Sequence, residues 1–361
     1  MIAGKLGRYI AGRFTRTVLS VFALFFAIIY AVDFVELLRR SGDTVGATAT
    51  LMAYLSFLRV PTVVEQALPF AVLFGSMTAF LNLSRKLELV VARAAGVSVW
   101  QFLAPPLFAA CVIGIVSITV YNPISAVLKE RGDELETAIF SKPGQHATSN
   151  TLWIRQKSTD GQAIIEADRS DKGGTSLFGV TVFEFEPNGS FMERLEATQA
   201  TLSPGFWTLQ DARLLSPGEE PQTYKTYLLS TNLTQEQVTQ SFVSPDSVPF
   251  WALPLISEET ERAGLDATAY KLHFQTLLAR PLLFIAMVLV AASFSLRFFR
   301  MGGIARMVSG GVLSGFVLYV VTKLVGDLGG AGLLSTQVAA WSPAVVGSML
   351  GTLVLLHQED G

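Results

Sequence analysis

The sequence is poor in the side chains on which most enzymes and metal proteins depend: one cysteine, three histidines and only 16% charged residues in 361. The lone cysteine, Cys111, excludes an intrachain disulfide, and its place in an apolar run marks it as a small buried hydrophobe. His146, His273 and His357 stand far apart without partners at metal-ligand spacing, so neither a metal nor another cofactor is expected. No G-x-x-x-x-G-K-S/T stretch is present to cradle nucleotide phosphates; if ATP drives this protein, another subunit binds it. A nucleophile elbow and an H-E-x-x-H helix are missing too, and the central region has only His146 from which to build a triad. An active site within this chain is therefore not expected. With 27 basic against 29 acidic residues the net charge is −2, which leaves no global basic field to attract nucleic acid.

What the chain has in abundance is apolar surface. Half its residues are hydrophobic and the mean hydropathy is +0.45, outside the range of ordinary water-soluble domains. Apolar stretches long enough to cross a bilayer core lie at 18–38, 64–83 and 102–121, and three more at 276–296, 307–328 and 338–356. The first follows Lys5, Arg8, Arg13 and Arg16 but runs on to Leu38 without a small-x-small cleavage site, so it is a retained anchor rather than a signal peptide. In a six-span arrangement those four basic residues fall on one side with Arg85, Lys86 and Arg93, and with Arg297, Arg300 and Arg306. Basic loops stay in the cytoplasm, which puts both termini inside and the central region outside.

That central region, 141–263, has a different composition. Segments 151–155, 163–167, 180–186, 191–197, 207–215 and 223–230 have strand character, separated by turn residues. Asn188-Gly189 sits between two alternating runs and suits a type I′ hairpin turn. The expected organisation is membrane helices one to three in 1–140, a water-facing β domain in 141–263, and membrane helices four to six in 264–361.

Two groups of residues carry candidate mechanism. The cytoplasmic loop after the second span, 84–96, favours a short amphipathic helix with Leu87, Val90, Val91 and Ala94 on one face, Arg85, Glu88 and Arg93 on others, and Gly96 as its stop. It either presses into a groove on a soluble partner or merely closes a hairpin. Charges cluster at the outer ends of the spans: Asp33, Glu36, Arg39 and Arg40, then Glu65, then Lys129 and Arg131, then Lys323 and Asp327. Ions at membrane depth are costly and usually functional, which fits a partly hydrated cavity able to hold phosphate. Lys323 and Asp327 are equally an i,i+4 pair that neutralises itself.

The chain resembles the LptF/LptG family of lipopolysaccharide export permeases, nearer to its LptG members, from Leu6 to Leu356. The resemblance rests on Leu6-Gly7-Arg8-Tyr9-Ile10, Phe34-Val35-Glu36-Leu37-Leu38-Arg39-Arg40, Glu88-Leu89-Val90-Val91 with Ala94 and Gly96, Thr231-Asn232-Leu233-Thr234, Arg280-Pro281-Leu282, Ala292-Ser293-Phe294 and Trp341-Ser342-Pro343. It implies six membrane helices in the bacterial inner membrane with an inserted periplasmic β-jellyroll. It also implies partners: an LptF-like permease, two LptB-like ATPases, LptC-like and LptA-like periplasmic proteins, and lipopolysaccharide itself. On this likeness the ATPase docks on Arg85, Glu88, Val91, Arg93 and Gly96, and the glycolipid meets Arg39, Arg40, Lys129 and Arg131. Asp33 departs from the pattern, since some relatives carry a basic residue nearby. Two other readings of the residues stand beside transport by such a complex. One is a membrane-anchored scaffold or sensor whose β domain binds a periplasmic partner; the other is an ion-coupled transporter using Asp33, Glu65 or Asp327.

Overall fold

A computed structural model of the chain describes residues 2–43, 47–94, 96–140, 152–158, 161–171, 174–186, 190–218, 220–234, 244–262, 266–298 and 304–360. Among these, six helical stretches are long and apolar enough to cross a membrane: Lys5–Arg40, Ala49–Arg85, Val99–Phe140, Thr268–Ser295, Val308–Gly330 and Thr336–His357. The chain is thus a helical membrane protein with an inserted antiparallel β domain, as the sequence pattern predicts. The helices are α1 (Ile2–Arg40), α2 (Ala49–Arg85), the short α3 (Glu88–Ala94), α4 (Val99–Val116), α5 (Asn122–Phe140), α6 (Leu253–Arg262), α7 (Thr268–Phe298), α8 (Ile304–Gly330) and α9 (Thr336–Asp360). Two compact units emerge, one of Met1–Ile139, Asp246–Trp251 and Lys271–Gly361, the other of Phe140–Pro245 and Ala252–Tyr270.

In the membrane unit the helices outrun their apolar cores. The 37 residues of α2 make roughly 55 Å of helix, nearly twice the hydrocarbon thickness. The extra turns carry the charged ends that a hydropathy window leaves out. Local chemistry explains where helices begin: Thr48 caps α2 by accepting from the Leu51 N–H, and Ser98 with Gln101 forms a reciprocal capping box at α4. Between α4 and α5 the helix widens into a π-turn over Ser117–Tyr121, closed by the Asn122 N–H donating to the Ser117 carbonyl. A single apolar core joins Phe14 and Val18 of α1, Leu73 and Phe80 of α2, Phe102 and Leu103 of α4, and Phe284 and Met287 of α7. In α9, Gly347 and Gly351 have the spacing of a helix-pairing motif, but both face inward. A Cβ on Gly351 would stand 2.7 Å from Leu289 Cβ, so this glycine serves close packing on α7.

The β unit is one six-stranded antiparallel sheet in sequence order: β1 (Leu152–Ser158), β2 (Gly161–Asp171), β3 (Ser176–Phe185), β4 (Phe191–Ser203), β5 (Phe206–Leu215) and β6 (Gln222–Ser230). The hairpin turn expected at Asn188-Gly189 lies outside the described residues. A crease crosses the sheet where Asp168, Gly179, Thr198 and Asp211 would meet, for the ladders lapse there on neighbouring strands while register is kept. Gly179 and Asp211 have positive φ, 62° and 50°. Beyond the crease the inward positions change parity: Leu195 and Ala197 are buried before it, Ala200 and Leu202 after it. One face therefore stays the core while the sheet bends. The bend lets β1 reach the end of β6: fully buried Gln156 donates to the Ser230 carbonyl at 3.1 Å. Its Oε1 accepts from Thr231 Oγ1 at 2.6 Å and from Trp207 Nε1 at 3.3 Å. A rolled meander satisfies the amide that a flat sheet would strand.

Candidate functional site

Three polar groupings stand out in the membrane unit. The first surrounds α3, the helix expected in the loop 84–96. It is shorter than that loop because α2 runs through to Arg85 and the chain turns sharply at Lys86 and Leu87. Leu87 adopts φ 61°, a left-handed conformation that costs a leucine about 1–2 kcal/mol. Gly96, at φ 83°, ends the segment in the conformation glycine takes most easily. Leu89 is buried in the same core as Ile10, Phe14 and Phe102, whereas Leu87 and Val91 are 56% and 67% exposed and Ala94 is exposed with them. Arg85 is exposed. The side chains of Val90 and Arg93 lie outside the described residues. Glu88 turns inward: its Oε1 accepts from Arg13 Nη1 at 2.8 Å and from Tyr9 Oη at 3.3 Å.

The second grouping lies at the far ends of α1, α2 and α5. Arg40 pairs with Glu136 at 3.0 Å, and Glu136 also holds Arg59 at 3.1 Å, which reaches Asp33 at 3.9 Å. Arg39 is strongly exposed and pairs with Glu36 at 2.9 Å. Lys129 donates to Ser247 Oγ at 3.0 Å and stands 3.6 Å from Asp133. Arg131 is exposed and has no ion-pair partner among the described residues. The four cations singled out by sequence are thus not one cluster. Arg40 joins a chain of charges through Glu136, Arg39 stands apart, and Lys129 is tied to the segment Asp246–Trp251. Arg59 completes this network and sequence reasoning passed over it, though an arginine in the apolar run 51–60 was itself a signal. Lys323 and Asp327 form the i,i+4 pair foreseen as one alternative, 3.4 Å apart and largely exposed.

The third grouping is buried. Glu65 on α2, 5% exposed at its side chain, accepts from Arg280 Nη1 at 2.5 Å, Asn122 Nδ2 at 2.9 Å and Ser125 Oγ at 2.5 Å. The π-turn sets the register that brings Asn122 and Ser125 to face it. Nearby, Tyr121 Oη donates to the Pro61 carbonyl at 2.8 Å, and Thr62 Oγ1 donates to that of Ser125 at 3.2 Å. Asn122 Oδ1 in turn accepts from the Phe250 N–H at 2.9 Å. The segment Asp246–Trp251 is secured further by a 3.4 Å contact between Asp246 and His273 and by stacking of Phe250 on Phe274, 5.2 Å between centroids. Glu65 and Arg280 are 215 positions apart, so no local pattern could pair them.

Apart from these, an apolar cavity of about 630 Å³ opens between α7, α8 and α9, walled by Phe294, Val317, Val346 and Leu350 among others. None of the predicted headgroup cations lines it.

The family model described as lipopolysaccharide export system permease LptF/LptG matches residues 8–357. The lipopolysaccharide export system permease protein LptG of Escherichia coli strain K12 is 24% identical over 338 residues, which cover 90% of each chain. Its namesake in Haemophilus influenzae is 22% identical over 366 residues, covering 97% of this chain and 96% of that protein. A match that spans both membrane blocks and the inserted sheet shows that the chain belongs to the LptF/LptG family of lipopolysaccharide export system permeases.

Proposed function

We propose that the chain is the permease subunit of an ATP-driven ABC-type transporter that takes lipopolysaccharide from the outer leaflet of the inner membrane and passes it to a periplasmic bridge. Residues 1–140 and 264–361 form its membrane part, with both termini in the cytoplasm, and 141–263 its periplasmic domain. An LptF-like permease completes the cavity, two LptB-like ATPases dock on the cytoplasmic side, and LptC-like and LptA-like proteins receive the lipid. The observation that carries this reading is the exposed apolar face of Val91 and Ala94 on α3, continued by Leu87 in the turn before it. A short helix with an apolar outer face and a fixed inner face fits a groove on a soluble partner. Arg85, Glu88, Arg93 and Gly96 border or orient that contact.

At the opposite end Arg39, Arg40, Lys129 and Arg131 take the anionic headgroup. Because Arg39, Arg40 and Lys129 already hold Glu36, Glu136 and Asp133, a phosphate binds by exchange, displacing a carboxylate from a guanidinium or ammonium. Arg131, with no ion-pair partner among the described residues, makes the first contact. Two measurements test the reading. Val91→Asp places a charge in the docking stripe and should cut recovery of the ATPase with this chain on the order of tenfold or more, as at an interface hot spot; undiminished recovery removes the stripe from the interface. A photo-crosslinker in place of Arg39 or Lys129 should capture lipopolysaccharide in cells, and silence at both positions counts against the headgroup assignment.

A further inference from the structure

Both ends of α3 are turns in left-handed backbone, Leu87 at one and Gly96 at the other. Covalently, then, α3 is a short rod between two hinges, and what fixes its position is the noncovalent contact on its inner side. The apolar part of that contact is Leu89, buried in the core that α1, α2, α4 and α7 share. The polar part is to α1, a closed triangle: Arg13 Nη1 donates both to Glu88 Oε1 at 2.8 Å and to Tyr9 Oη at 2.9 Å, while Tyr9 Oη donates to Glu88 Oε1 at 3.3 Å. The Arg13 and Glu88 side chains are 19% and 31% exposed, so solvent screens the pair only in part. The other carboxylate oxygen of Glu88 is buried without a hydrogen-bond partner among the described residues, which makes Arg13 the principal compensation for its charge. The helix on the receiving side is suited to carry a displacement. α1 runs unbroken for 39 residues without an internal proline, unlike α2, α4, α7 and α9. Its far end bears Asp33 and Arg40, which belong to the outer charge network, and the separate pair Glu36 and Arg39.

We propose that the Arg13–Tyr9–Glu88 clamp locks α3 to α1, so that a movement imposed on α3 from the cytoplasm shifts α1 with it and reaches the outer charge network along that helix. The three are positioning residues, and the inference rests on the reading of α3 as the ATPase docking helix. Arg13 and Tyr9 lie 75 and 79 positions from Glu88. No pattern within the loop itself points to them.

The test uses the whole transporter complex in proteoliposomes. Spin labels at Ala92→Cys and Arg16→Cys, with Cys111→Ser, report the separation of α3 from α1 without nucleotide and after trapping with ATP and vanadate. A separation that stays constant while the ATPase closes is the expected result, and a change between the two states overturns the proposal whatever any clamp variant does. In parallel, lipopolysaccharide released per ATP hydrolysed should fall about tenfold in Glu88→Gln and in Arg13→Met, within the range of ordinary coupling free energies. The charge exchange Arg13→Glu with Glu88→Arg should restore it to within about twofold, an outcome that simple loss of packing would not give. An unaltered ratio in both single variants, or an exchange variant as deficient as they are, overturns the clamp. Failure of the docking reading itself looks different: Val91→Asp would then retain the ATPase as fully as the unmodified chain does.

Discussion

The two units solve the same problem, a buried polar side chain, with opposite chemistry. In the membrane unit the buried groups are ionic, Glu65 of α2 against Arg280 of α7, with Asn122 and Ser125 of α5 donating to the same carboxylate. In the sheet the buried group is a neutral amide, Gln156, held by a hydroxyl, an indole and a carbonyl. An ion pair removed from water gains little over a well-packed apolar pair, yet breaking it strands a charge; an amide leaves behind only an unmet hydrogen bond. The membrane joint is therefore the more brittle of the two under single substitution, although neither knot adds much stability when judged against an apolar replacement of both partners.

Arg280→Met gives the sharpest test of this contrast. It removes the countercharge of buried Glu65, with an expected loss of about 3–5 kcal/mol, read as a fall in thermal stability of the detergent-purified chain. Adding Glu65→Gln to that variant should recover most of the loss; if the double variant is no better than the single, the pair is not the source of the effect. Next in size, Gln156→Leu should cost about 1–3 kcal/mol and act on the sheet alone, seen as faster proteolysis of the β unit within the full chain while the membrane helices keep their melting behaviour. Equal destabilisation of both units would dissolve the distinction between them.

The smallest effect is confined to alkaline solution. Burial, followed by the nearby Glu184 and Glu193, pushes the Tyr227 hydroxyl up from its ordinary value near 10 to about 12. A group whose folded pKa is raised favours the folded state fully below its unfolded pKa, so this contribution is present up to about pH 10 and is lost as pH rises toward about 12. Phenolate absorbance of the intact chain minus that of Tyr227→Phe should show one tyrosine titrating about two units late. A difference curve centred near pH 10 would remove the burial of Tyr227 beside Glu184 and Glu193 from the account.

How far the sequence was legible depended on whether a feature is local. The strands expected at 163–167, 180–186 and 191–197 stop or start beside Asp168, Gly179 and Thr198, where the observed strands run on. Alternation changes parity at the crease, so a search for period two ends at the position where the sheet only bends. In the same way the exposure of Leu87, Val91 and Ala94, expected on one face together with Val90, was readable from spacing, whereas the inward turn of Glu88 was not. It depends on Arg13 and Tyr9, which periodicity in the loop cannot register.

The sequence by itself determined the class of protein: six apolar stretches of bilayer length, basic loops on one side, an alternating central block, and the ordered residues of a permease family. These are properties of composition and short spacing, set by the thickness of a bilayer and the pleat of a strand. Only the tertiary structure decided that Arg40 shares Glu136 with Arg59, that Arg280 meets Glu65 beside Asn122 and Ser125, and that Arg13 holds Glu88. A charge whose solvation is lost on burial finds whichever counter-charge the packing of helices brings within reach, and that choice is made in space rather than along the chain.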